Sequence, residues 1–150
     1  MDRNAQKQFE LITQQIKELV GIYRGAVSQS GISENEFWIW YTLIVMDGEY
    51  SQQDICSMWS LSRQTINTII MRMVANGRVV LDVVPGTRNR KNIRLTPAGR
   101  EYGERIVLPI SQAEQRTLDK LPVEDWNACT AALGRYIKIL KEEMYGTDRQ

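Results

Sequence analysis

The sequence predicts a mainly α-helical chain carrying one small antiparallel β-hairpin, and three observations carry that prediction. Ser33, Ser51 and Ser62 each stand immediately before an apolar helical spacing, the signature of a capped helix start. Between Val79 and Leu95 the pattern changes to a β-branched run, a Pro-Gly turn and a second short run, which reads as a hairpin. The first and last helices each repeat apolar residues along a narrow seam of the kind that packs on another helix.

Taken in order, residues 4–30 form the first helix, with Phe9, Ile12, Ile16, Leu19, Val20, Tyr23 and Val27 as its seam. A seam this long on a terminal helix is best covered by a partner chain, the alternative being its own neighbouring helix. Gly31 breaks the pattern. Ser33-Glu34-Asn35-Glu36 then reads as a capping box, with Ile32 and Phe37 as its hydrophobic staple. The helix over 33–47 is apolar nearly all round, as a helix covered on most sides should be. Its aromatic residues Trp38, Trp40 and Tyr41 read first as core or interface packing.

Residues 51–95 hold the densest set of signals. Ser51-Gln52-Gln53-Asp54 is a second capping box, with Tyr50 and Ile55 flanking it, and Ile55, Met58 and Trp59 are expected on one buried face. Ser62 caps the next helix, whose stripe of Ile66, Ile69, Ile70, Met73 and Val74 should be buried. Its other face carries Arg63, Gln64, Thr65, Asn67, Thr68 and Arg72, side chains that reach base edges and phosphates, with no acid among them. Asn76-Gly77 ends the helix, Val79–Val84 forms a strand, Pro85-Gly86 turns, and Ile93–Leu95 returns. Thr96 caps a connecting helix over 96–120 with Pro97 at its first position, and Pro109 should kink or interrupt it. The last helix, 122–145, carries Trp126, Cys129, Leu133, Tyr136, Ile137, Leu140 and Met144, and a polar tail from Gly146 to Gln150 ends the chain.

The 150 residues make one domain-sized unit with a net charge of only +1. Its distribution is informative: residues 51–100 hold eight basic and two acidic side chains, whereas residues 1–50 and 101–150 are each mildly acidic. A basic middle between acidic flanks suits one face meeting phosphate. The chain has no histidine, which excludes His-based metal sites and His-based acid–base catalysis. Its two cysteines, Cys56 and Cys129, are far apart and suggest a reducing cytoplasm without a disulfide framework. Cys56 reads as a small buried hydrophobe and Cys129 as core or interface packing. Met1-Asp2-Arg3-Asn4 leads into a polar helical segment rather than a signal peptide. The longest apolar run, Phe37–Met46, is too short to span a bilayer. Glu34 with Glu36 and Glu142 with Glu143 are carboxylate pairs by spacing, expected on solvated faces. With no phosphate loop or nucleophile elbow either, the chain is expected to need no cofactor and not to be an enzyme.

The ordered set Asp54-Ile55-Cys56, Leu61 through Asn67, Asn76-Gly77 and Arg94-Leu95-Thr96-Pro97-Ala98-Gly99 resembles the winged helix-turn-helix of MarR-type bacterial transcription regulators. The resemblance implies a winged helix-turn-helix lobe with a two- to three-stranded wing, and helical dimerisation arms formed by the first and last helices. It implies a homodimer joined through Phe9, Ile12, Ile16, Leu19, Tyr136, Ile137 and Leu140. Such a dimer reads a near-palindromic operator on double-stranded DNA. The implied DNA contacts are Gln52, Ser62, Arg63, Gln64, Thr65, Asn67, Thr68 and Arg72 from the helices, and Arg88, Asn89, Arg90 and Lys91 from the wing. Repression released by a small aromatic or phenolic effector is the function it suggests, the effector lying beside Tyr23, Trp38 and Tyr41. The rival reading is a winged-helix protein-interaction module that does not bind DNA specifically. The wing departs from the family pattern: Thr87 and Asn89 stand where an aspartate and a groove-entering arginine are usual. Either the tip is shifted by one residue, so that Arg88 or Arg90 takes the arginine's place, or the wing holds only phosphates; the arginine is the expected reading, on a wing left mobile by the missing aspartate.

Overall fold

The structure, a computed structural model, describes residues 2–146. The described residues form six helices and one two-stranded sheet: α1 (Arg3–Ser28), α2 (Glu34–Val45), α3 (Gln52–Trp59), α4 (Arg63–Ala75), β1 (Val79–Val83), β2 (Lys91–Leu95), α5 (Pro97–Leu118) and α6 (Val123–Tyr145). Met1 and the last four residues of the polar tail lie outside the described residues.

The described residues divide into two compact units between Ser111 and Gln112. In the first, Val27, Phe37, Ile39, Trp40, Ile55, Ile66, Ile69, Ile70, Met73, Val79, Ile93 and Val107 form a single buried cluster. Every helix of the unit and both strands contribute to it. Four of these residues lie on one face of α4, and burying each such side chain stabilises the fold by roughly 1.5–3 kcal/mol. The apolar stripe read from the sequence is therefore the face that α4 buries.

Local chemistry sets the helix ends. Ser51 Oγ accepts from the Asp54 N–H at 3.2 Å while the Ser51 N–H donates to Asp54 Oδ2 at 2.8 Å, so the capping box closes in both directions. Ser62 Oγ accepts from Thr65 N–H at 3.2 Å. At the end of α4, Gly77 N–H donates to Val74 O and Arg78 N–H to Met73 O, the paired bonds of a Schellman cap. Gly77 makes them possible with φ +68°. Thr96 Oγ1 accepts from Gly99 N–H at 3.0 Å and itself donates to Gly77 O at 2.7 Å, tying the start of α5 to the end of α4. Gly99 sits so close to that segment that an added Cβ would fall 1.8 Å from the Arg78 carbonyl oxygen.

The strands pair antiparallel, with Val79 opposite Leu95, Leu81 opposite Ile93 and Val83 opposite Lys91. A single bridge between Ser51 and Asn92 adds the residue before α3 as the rudiment of a third strand. The wing loop closes on itself: Val84 N–H donates to Arg90 O at 2.8 Å, and Thr87 Oγ1 donates to Val84 O at 2.7 Å.

Several expectations differ from the structure. Met58 is exposed rather than buried with Ile55 and Trp59. On a short helix the buried arc runs through Ile55, Trp59 and Cys56, and Met58 falls about 60° beyond its edge at 100° per residue. The Ser33 capping box forms only its first half, with Ser33 Oγ accepting from Glu36 N–H at 3.2 Å. Glu36 is not on a solvated face but buried, because its carboxylate turns inward to two donors described below. α5 runs through Pro109 without interruption. Proline there withholds one N–H from the carbonyl of Arg105, an exposed residue.

The second unit contains the end of α5 and α6. None of the α6 side chains is buried; Leu133, Ile137, Ile139 and Met144 are exposed, as is Cys129. No helix of the described residues is long and apolar enough to cross a membrane.

Candidate nucleic-acid interface

The α3–α4 turn is tight because Ser60 adopts a left-handed conformation, φ 52° and ψ 41°, and Leu61 N–H returns to Cys56 O. With one side of α4 buried, its opposite side faces a groove of about 920 Å³ between the start of α3 and the wing. This groove gathers seven of the twelve residues expected to contact DNA: Gln52, Arg63, Gln64, Asn67, Asn89, Arg90 and Lys91. No acidic side chain lines it.

The other five lie elsewhere or are otherwise engaged. Ser62 caps α4, and its hydroxyl shares a 2.7 Å hydrogen bond with that of Thr65. Thr68 Oγ1 donates to Gln64 O at 3.0 Å. Arg72 Nη2 pairs with Glu36 Oε2 at 2.9 Å. Arg88 is exposed on the wing loop and makes no ion pair among the described residues. The groove also recruits Ser51, Gln53, Met71 and Leu81, which sequence reading did not assign to it. Met71 was findable, since it follows Asn67 by four residues and so shares its helix face. Leu81 was not, because only the strand pairing decides which side of the hairpin turns toward α4.

The wing is tied to the helix-turn-helix by one carboxylate. Arg90 Nη2 donates to Asp54 Oδ1 at 2.8 Å and Oδ2 at 2.9 Å, so the capping residue of α3 holds the wing arginine. No wing aspartate is needed for that. The Ser51 backbone N–H holds the Asp54 carboxyl below its ordinary range, the Ser51 hydroxyl and Arg90 add to this, and partial burial opposes it. On the outer edge of the hairpin, Arg94 Nε donates to Asp82 Oδ2 at 2.6 Å, and that carboxylate raises the Arg94 guanidinium further above its ordinary value.

The aromatic residues of α2 form a packed group away from the groove lining. The Trp38 ring stacks on Trp59 at 4.8 Å and contacts Tyr23, Phe37 and Tyr41 at 5.2–5.5 Å. Thr42 Oγ1 accepts from Trp59 Nε1 at 2.7 Å and donates to Trp38 O at 2.8 Å, joining α2 to α3. The three residues expected beside an effector, Tyr23, Trp38 and Tyr41, therefore lie together. Among the described residues no three His, Cys, Asp or Glu side chains are grouped to hold a metal ion.

The depressed Asp54 carboxyl implies a specific pH dependence. A lowered folded value gives stability that is present above the unfolded aspartate value, near pH 4, and is lost as pH falls through the folded value. Asp54→Asn is expected to cost about 0.5–1 kcal/mol at pH 7, a modest figure because the pair is partly solvated. Denaturant titration at pH 7 and pH 2.5 should find that difference closing at the lower pH; a difference independent of pH would mean the Asp54 charge does not hold the wing.

No model of a known protein family matches the chain, and no curated protein matches it. Solved structures do. A MarR family regulator from Neisseria meningitidis has a TM-score of 0.79 at 17% identity, over 92% of this chain and 96% of that one. MepR from S. aureus in its DNA-binding conformation has a TM-score of 0.65 at 19% identity, covering 91% and 98%. BpsR from Bordetella bronchiseptica, whose DNA binding is regulated by 6-hydroxynicotinic acid, has a TM-score of 0.58 at 22% identity, covering 85% and 90%. At these identities the likeness is one of fold: this chain has the winged helix-turn-helix fold of the MarR family regulators.

Proposed function

We propose that the chain belongs to the MarR family and is a sequence-specific double-stranded DNA-binding transcription regulator, a cytoplasmic homodimer and not an enzyme. The observation that carries this reading is the groove in which Arg63, Gln64 and Asn67 of α4 meet Asn89, Arg90 and Lys91 of the wing without an acid. Glutamine and asparagine match adenine edges, arginine matches guanine or phosphate, and lysine neutralises phosphate. MepR, of the same fold, is described in a DNA-binding conformation. α4 enters the major groove of a near-palindromic operator, and the wing reaches the flanking minor groove. Arg88 is the wing arginine available there, Arg90 being held by Asp54.

The test is a titration against the DNA upstream of the chain's own gene, at two salt concentrations. Gln64→Ala and Asn67→Ala should each cost about 1–3 kcal/mol and relax preference at one position per half-site. Arg88→Ala should lose A·T preference in the flanks. Cognate and scrambled DNA bound in the wild-type ratio by all three variants would show that this face is not the reader. The same titration decides between this reading and its rival, a protein-interaction module. The apolar pair Met71 and Leu81 in the groove is what favours that rival. Salt-insensitive binding, or none, is its signature.

Uncovered apolar seams support the homodimer. Phe9, Ile16 and Leu19 of α1 are 50%, 41% and 56% exposed, and Ile137 of α6 is 43% exposed. Ile12, Tyr136 and Leu140 are half-buried. A second copy of the chain is the cover the reading requires. Sedimentation at micromolar concentration should find a dimer, and a monomer there would remove the basis for a palindromic operator.

As regulator, the chain acts as a repressor released by a small aromatic or phenolic effector. The cluster of Tyr23, Trp38 and Tyr41 supports the site, and the regulation of BpsR by 6-hydroxynicotinic acid supports the ligand class. Salicylate should quench tryptophan fluorescence and weaken DNA binding, and both effects should be lost in Trp38→Leu/Tyr41→Leu. Quenching that persists in that variant places the ligand elsewhere.

A further inference from the structure

Glu36 is the one charged side chain buried among the described residues. It stands in the first turn of α2, and the function proposed above gives it no role. Its Oε1 accepts from Trp40 Nε1 at 3.3 Å and its Oε2 from Arg72 Nη2 at 2.9 Å. Trp40 is fully buried and lies 5.2 Å from the Tyr102 ring, which in turn carries Arg78 over its face at 3.4 Å. One carboxylate thus joins α2 to α4 across 36 residues of sequence, at the edge of the core.

Arg72 lies on the flank of α4, about 100° round from Met71 on the groove side. It does not line the groove, and its side chain is 57% exposed against 10% for Glu36. Turning Arg72 to a DNA phosphate would leave the carboxylate buried with only the indole as donor, which is unfavourable. Buried ion pairs add little net stability compared with apolar packing of the same volume, but they accept fewer alternative arrangements. The hydrogen bond of this pair restricts the rotation and depth that α4 can take relative to α2.

We infer that Arg72 and Glu36 are positioning residues for DNA recognition: their ion pair sets the pose of α4, and Arg72 is not a phosphate contact. The inference rests on the reading of α4 as the recognition helix. Glu36→Gln, Arg72→Gln and the double variant test it, with melting temperature as the check on folding. Each single variant should lower the ratio of cognate to scrambled DNA affinity about tenfold, and the double variant should be no worse than either single one. The slope of log affinity against log salt should stay at the wild-type value. A slope reduced by about one in Arg72→Gln, with Glu36→Gln binding as wild type, would make Arg72 a phosphate ligand and overturn the inference. Effects that simply add would overturn it as well. If Arg72→Gln does not fold, Glu36→Leu/Arg72→Leu removes both charges together; that variant should keep the fold and lose discrimination, and wild-type discrimination in it would refute the role. The free protein gives a readout independent of DNA. The Trp40 indole N–H resonance should shift in both Glu36→Gln and Arg72→Gln, and a resonance unmoved by Arg72→Gln would show that the tie does not exist. Absence of specific DNA binding by the wild-type chain would defeat the proposed function, while this resonance would still decide the tie.

Discussion

The burial of one face of α4 is the constraint on which the rest of the first unit depends. Ile66, Ile69, Ile70 and Met73 can leave water only if helices from both sides of the sequence, and the base of the hairpin, close over them. Once that face is covered, the rotation of the helix is confined to a sector, and Arg63, Gln64 and Asn67 are turned outward by the 3.6-residue period alone. The hydrophobic effect is non-directional, so it settles which face is hidden but not the finer pose. The directed interactions around α4 supply that: the Glu36–Arg72 pair on its flank and the Schellman cap at its end.

The positive charge of residues 51–100 is distributed differently from what its count suggests. Of the eight basic side chains, Arg72, Arg90, Arg94 and Arg100 pair with Glu36, Asp54, Asp82 and Glu104, and Arg78 lies over the Tyr102 ring. Arg63, Arg88 and Lys91 have no ion-pair partner among the described residues. Much of the excess is therefore architectural. It fastens the wing to α3, one strand to the other, and α4 to α2. The unpaired remainder, Arg63, Arg88 and Lys91, is concentrated on one helix start and one loop, where its charge acts at short range.

The two faces of α2 serve different neighbours. Glu36 and Trp40 look toward α4 and α5, while Trp38 and Thr42 engage α3 through Trp59. A helix that is apolar nearly all round reads from sequence as simple filler. Two of its polar side chains, however, reach other helices: Glu36 bonds to Arg72 of α4 and Thr42 to Trp59 of α3, so α2 is tied to both.

The sequence by itself determined the elements and their faces, because those follow from short-range chemistry. Ser51 with Asp54, Ser62 with Thr65 and Thr96 with Gly99 cap helices through bonds spanning three residues, and the Gly77 cap is equally local. The stripe of α4 and the β-branched run of β1 likewise need only a period of 3.6 or 2. What only the tertiary structure decided are the partners of long polar side chains. An arginine, aspartate or glutamate has several acceptors or donors within reach, and the choice depends on backbones brought together from distant parts of the chain. Thus Glu36 left its capping box for Arg72, and Arg90 found Asp54 in place of a wing aspartate, each across 36 residues. The exposure of Met58 and the inclusion of Leu81 in the groove were settled in the same way, by which neighbour covered which side of a short element.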